Sequence, residues 1–151
     1  MARIRLRDVS LNVEVVGHGP PLVLMHGGPH NMWTDKDQTV IYQTEWFDNK
    51  LTTFDRETGA LISQIKVGES PAHVMTRADN DDIHVSLNGE EGIAEIFATT
   101  APSQVNRIIA TQGHGELPTH PHAHWMTSDG QKMVTPNTFT GDTTLFGFDS
   151  G

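Results

Sequence analysis

Apolar and polar residues alternate along this chain in short runs, a pattern that predicts β-strands with one buried face. Alternating apolar positions in residues 4–6 and 9–15 predict two short strands with a turn near Asp8. A fully apolar run at residues 22–25 predicts a third strand, and it follows a turn rich in glycine and proline at residues 17–21. The chain therefore begins with a short β segment.

From residue 29 onward, the strands are predicted in repeated groups separated by turn residues. The predicted second strands lie at residues 39–44, 83–88 and 132–135, and the third strands at residues 50–54, 93–97 and 144–148. The predicted outer strands lie at residues 61–67 and 105–110. Turn residues fill positions 55–59 and 128–130. This pattern predicts an all-β fold.

A His-x-Met tripeptide precedes each group of strands, starting at His30, His73 and His124. A threonine follows each copy within two residues, and the copies start 43 and 51 residues apart. That spacing is typical of one blade of a β-propeller, a four-stranded sheet repeated around an axis. Equivalent positions of successive blades face the axis, so we expect these histidines to converge there.

Residues 29–151 resemble a YVTN-type propeller. The shared features are the Asp129-Gly130 turn, the Phe-Asp strand endings at 54–55 and 148–149, and the Val-Gly-x-x-Pro link at 67–71. The first copy lacks the turn glycine, and the third lacks an outer strand. We therefore expect an incomplete propeller of two to three blades, whereas closed propellers have about four to eight. Unpaired blade faces predict self-association into a homo-oligomer.

Residues 1–28 resemble the opening of an α/β-hydrolase, with a Gly-x-Gly-Pro-Pro turn, an apolar strand and a His26-Gly27-Gly28 loop. The resemblance implies a chimeric chain with parts at 1–28 and 29–151. In a hydrolase this loop donates backbone N–H groups to an oxyanion hole. The nucleophile must also sit on a strand-to-helix elbow. The nearest candidate, Ser70, lacks the last elbow glycine and precedes a β pattern, so it is predicted to be a turn residue.

The histidines are the candidate metal ligands, because neutral imidazole binds copper, iron, nickel and zinc. The candidates are His30, His73, His120, His122 and His124. In an extended strand the last three would share one face, since side chains at i, i+2 and i+4 do so. Two interpretations stay open: a site for copper or another transition metal, or histidines that cap the inner strands. The methionines at 32, 75 and 126 are predicted to fill space between blades.

Axial histidines are similar to those of copper-bearing nitrous oxide reductases and of the haem-binding propeller of some nitrite reductases, and this resemblance implies a redox cofactor in the complete ring. Three functions follow. The first is a non-catalytic propeller scaffold with transition-metal binding. The second is a redox enzyme whose copper or haem site is completed by oligomerisation. The third, an α/β-hydrolase relative, is disfavoured because no catalytic triad is recognisable.

The amino-acid composition excludes several classes of binding partner and site. The 10 Lys and Arg residues against 19 Asp and Glu give a net charge of -9, which argues against a nucleic-acid partner. The absence of cysteine excludes thiolate metal sites and disulfides. No apolar run is long enough to span a bilayer, and the N-terminus lacks a signal-peptide core. We therefore expect a cytoplasmic protein without a membrane partner.

Overall fold

The computed structural model describes residues 28–148 and the backbone of residues 2–6 and 9–13. Strands β1 (Ala2–Leu6) and β2 (Val9–Val13) form an antiparallel pair, as the alternating pattern predicts. The predicted strand at 22–25 and the start of the hydrolase-like loop, His26 and Gly27, lie outside the described residues. Within the described part of the chain, no helix is long and apolar enough to cross a membrane.

Three antiparallel sheets follow. Sheet I contains β3 (Pro29–Thr34), β4 (Val40–Glu45), β5 (Lys50–Asp55) and β6 (Leu61–Lys66), in that order. Sheet II contains β7 (Pro71–Thr76), β8 (Ile83–Leu87), β9 (Gly92–Ile96) and β10 (Arg107–Ala110). Sheet III contains β11 (Trp125–Met126), β12 (Lys132–Pro136) and β13 (Thr143–Gly147). The all-β prediction is confirmed, and every described element is a strand.

The turns between strands form where the sequence supplies the required residues. In the turn after β5, the Asp55 carboxylate accepts hydrogen bonds from the backbone N–H and the hydroxyl of Thr58. Gly59 then adopts a φ of 70°, a left-handed conformation that glycine adopts without steric cost. Ser70 also has a positive φ and precedes strand β7. It therefore occupies a turn and not a strand-to-helix elbow.

The expectation that His120, His122 and His124 lie on one extended strand is wrong. Strand β11 contains Trp125 and Met126 alone, so the extended run from His120 to His124 does not form. His120 has a φ of 49°, and the next residue is a proline, which has no N–H to donate to a strand ladder. His120, His122 and His124 therefore do not present one three-imidazole face.

Two apolar clusters hold the sheets together. Sheets I and II share a buried cluster that includes Tyr42, Leu51 and Val74. Across the same contact, the backbone N–H of Val74 donates to Asn31 Oδ1 at 2.9 Å. Sheets II and III share a second cluster, made of Met75, Ile93, Met126 and Met133. Met75 and Met126 are therefore buried between sheets, as predicted.

Candidate histidine site at the inner strands

Histidines from sheets I and II and from the segment before sheet III meet beside the inner strands in two pairs. The rings of His73 and His124 are 4.8 Å apart between centroids and nearly perpendicular. The rings of His30 and His122 are 5.1 Å apart, and Trp46 lies against both, at 4.9 and 5.8 Å. We call His30, His73, His122 and His124 the histidine cluster. His73 lies beside His124, and His30 Nδ1 lies 3.1 Å from the carbonyl oxygen of Ala72, the residue before His73.

The backbone around the cluster is fixed by hydrogen bonds between sheets. The Ser86 hydroxyl oxygen accepts a hydrogen bond from the backbone N–H of His73 at 2.9 Å, and the same hydroxyl donates to the carbonyl of His122. The Thr44 hydroxyl donates to the carbonyl of Ala72 at 2.7 Å. Because these bonds join sheet I, sheet II and the segment before sheet III, the three inner segments are held in one arrangement.

His124 is the most unusual member of the cluster. Its side chain is buried at 2% exposure, and within residues 28–148 neither ring nitrogen makes a hydrogen bond of good geometry, although a backbone group of His84 approaches the ring. Among the same residues, the buried Nδ1 atom of His73 has no hydrogen-bond partner. A buried polar atom without a partner costs about 1–3 kcal/mol, so packing alone gives no reason for an imidazole here.

Burial keeps three rings of the cluster neutral. It lowers the pKa of His73 to about 4, with further contributions from His122 and His30. Burial also lowers the pKa of His124 well below its usual value; the charges of His73 and His84 add to this effect, and a backbone group of His84 opposes it. The pKa of His122 is lowered by burial and by His30. These rings are therefore uncharged at neutral pH, the form of imidazole that binds metal ions.

His120 lies apart from the cluster. Its Nδ1 atom bonds to the carbonyl oxygen of Asn88, and its ring packs on Phe139 at 4.3 Å. It therefore links the end of sheet II to sheet III, as the capping interpretation expects. His114 is exposed on the loop before it. Within residues 28–148, no three or more His, Asp or Glu side chains are arranged to hold a metal ion.

A buried charged group in sheet II was missed by the sequence reasoning. His84 Nε2 lies 3.2 Å from Glu95 Oε2, and Arg107 Nε lies 2.7 Å from Glu95 Oε1. The hydrogen bond from His84 lowers the pKa of Glu95 to about 2, and Arg107 adds to the effect. Glu95 is the cross-strand partner of both residues, so the register of β8, β9 and β10 was the signal that pointed to it.

Comparison with solved structures identifies the architecture. A candidate 6-phosphogluconolactonase from Bacteroides uniformis is 10% identical, and the match covers 81% of this chain and 37% of that one with a TM-score of 0.70. A second, from Bacteroides fragilis, is 15% identical with the same coverage of this chain, 35% of its own and the same TM-score. The three sheets are blades of a β-propeller. Together with β1 and β2, they form an all-β, incomplete propeller.

Two further propeller structures have similar folds. Hydrazine synthase from Kuenenia stuttgartiensis is 17% identical, with 82% of this chain and 38% of that one covered and a TM-score of 0.60. The dihydro-heme d1 dehydrogenase NirN in complex with DHE is 12% identical, with 80% and 25% covered and a TM-score of 0.59. The chain thus spans well under half the length of these proteins. No family model and no curated protein matches the sequence.

Proposed function

We propose that the chain is a non-catalytic propeller segment that binds a transition-metal ion through the histidine cluster. The observation that carries this proposal is His124, which is buried without a well-formed hydrogen bond at either ring nitrogen within residues 28–148. A metal ion would give such a nitrogen the partner that the described residues do not provide. The lowered pKa of His73 and His124 supports the same function, because only the neutral ring coordinates.

The chain supplies imidazoles in pairs, and further blades would supply the remaining ligands and close the ring. On sheet III, the cross-strand neighbours Trp125, Val134 and Leu145 form an exposed apolar row. On sheet I, Phe54 pairs with the exposed Leu61. We propose that these two faces pack together in successive copies of the chain, since contiguous exposed apolar surface marks interaction sites.

The test is a titration of chelator-treated protein with Ni²⁺ or Cu²⁺, followed by calorimetry at pH 7. We expect affinity that stays nearly constant from pH 7 to pH 5 and falls as the pH approaches 4, because the pKa of His73 is lowered to about 4 and protons compete for its ring only there. The double variant His122→Ala with His124→Ala should lose most of the affinity. The matched control, His114→Ala with His120→Ala, should keep it. Equal affinity in both variants, with the β signal in circular dichroism intact, would reject the proposal.

Ring completion is tested separately by light scattering at micromolar concentration. We expect a homo-oligomer, and the change Leu145→Glu on sheet III should dissociate it because it places a charge in the apolar row. A folded monomer in the unchanged protein would contradict this part of the proposal.

The second candidate is a propeller-type redox enzyme whose copper or haem site is completed by oligomerisation. The names of two proteins of similar fold, a heme d1 dehydrogenase and a hydrazine synthase, favour it. It uses the same histidines and differs in requiring electron transfer. Reversible reduction of the metal-loaded oligomer by a mild chemical reductant, lost in the variant His122→Ala with His124→Ala, would favour this candidate over the non-catalytic scaffold.

A further inference from the structure

We infer that His73 and His124, together with the methionines between sheets II and III, form a site for Cu(I) in preference to divalent ions. This inference rests on the proposed function and specifies the ion that this part of the histidine cluster takes. The interface between sheets II and III is rich in methionine sulfur, from Met75, Met126 and Met133.

The methionines lie on the same side of sheet II as His73. Val74 of β7 packs toward sheet I in the cluster with Tyr42, whereas Met75 packs with Met126 and Met133 of sheet III. The ring of His73 lies against that of His124, at 4.8 Å between centroids, so His73 and Met75 both face the segment that carries His124 and Met126. Across the interface, the chain places Met126 two residues after His124.

These donors match the coordination chemistry of Cu(I). Thioether sulfur is a soft ligand that selects Cu(I), and imidazole also binds copper. Zinc and nickel gain less from a thioether. Met75, Met126 and Met133 are buried, so any contact between sulfur and metal would be shielded from water.

Charge favours the monovalent ion as well. The two histidines and the methionines are all neutral ligands, so a bound divalent ion would keep two positive charges in a buried site. The cost of burying an ion rises steeply with its charge. Glu95, the buried carboxylate of sheet II, is already bonded to His84 and Arg107 and so offers little compensation.

The other buried histidine of this interface shows what a purely structural role looks like. His84 has a partner at each ring nitrogen, the carbonyl oxygen of Asp82 at 3.2 Å and the carboxylate of Glu95. Among residues 28–148, His124 has no well-formed hydrogen bond at either nitrogen. This contrast within one interface favours a ligand-binding role for His124.

The experiment is an anaerobic titration of the full chain with Cu(I) against the chromophoric chelator bicinchoninate. We expect a single Cu(I) to bind per chain. The change His124→Leu should weaken Cu(I) binding about a hundredfold, since one of two imidazole ligands is lost. The double change Met75→Leu with Met126→Leu conserves volume and should weaken Cu(I) binding about tenfold while leaving Ni²⁺ binding unchanged.

The matched control is Met32→Leu in sheet I, which should leave Cu(I) affinity unchanged. Circular dichroism and urea unfolding verify that each variant is folded. The inference is overturned if Cu(I) affinity is unchanged by His124→Leu or by the double methionine change. Ni²⁺ binding would in that case still support the proposed function. Failure to bind any metal ion would reject both.

Discussion

Acidification from pH 7 to pH 5 should destabilise the metal-free protein through His73 and His124. Both rings have a folded-state pKa below that of the unfolded chain. Below pH 6.5 the unfolded chain therefore binds protons that the folded chain does not. The free energy of unfolding consequently decreases as the pH decreases. Above pH 6.5 both states are neutral at these rings, so this contribution to the pH dependence vanishes.

The size of the effect follows from the shift at His73, whose pKa is lowered to about 4. Each pH unit between the two pKa values costs about 1.4 kcal/mol, so a fully buried ring would cost about 2 kcal/mol at pH 5. The partial exposure of His73 reduces its share to about 1 kcal/mol. His124 is nearly fully buried and adds to the loss in the same direction.

The assay is urea unfolding with a chelator present, at pH 7, 6, 5.5 and 5. Carboxylates contribute little in this window, because the pKa of Glu95 is already lowered to about 2 and its effect begins below the unfolded value near 4.5. The control variant, His73→Asn with His124→Leu, should show a much flatter dependence. An unfolding free energy that stays constant from pH 7 to pH 5 in the unchanged protein would mean that the folded state does not lower the pKa of these histidines.

Two further predictions concern stability. Glu95→Gln should cost about 3 kcal/mol in urea unfolding, because it removes the buried charge that pairs with His84; a cost below 1 kcal/mol would contradict this. Gly130→Ala should destabilise more than Gly59→Ala, since both glycines have a φ near 70° but only at Gly130 would the new Cβ clash with Asp79. Equal melting temperatures of these two variants would show that this contact between sheets is unimportant.

Much of the fold was predictable because it is encoded locally. The alternating runs and turn residues located each second, third and outer strand to within a few residues, as with β12 at Lys132–Pro136. The repeat spacing placed His73 and His124 together, because equivalent positions of neighbouring blades lie side by side. The hydrolase-like resemblance of residues 1–28 involves side chains outside the described residues, and it stays a prediction.

The details of the histidine and Glu95 sites depend on contacts between distant residues, which the pattern of apolar and polar positions does not specify. The expected three-imidazole face failed because the left-handed backbone at His120 and the following proline end the extended run. The pairing of His122 with His30 and Trp46 is set by contacts between sheets I and III. The Glu95 group required the exact strand register, and one extra residue in either hairpin would have moved it.

A histidine-selective nitrogen-15 NMR titration of the chelator-treated protein with Cu(I) observes the candidate ligands directly. We expect the ring nitrogens of His73 and His124 to shift first and in proportion to the added metal, while those of His114 and His120 stay unchanged. Shifts confined to His114 or His120, or no shift at His124, would mean that the buried histidine cluster is not a metal site.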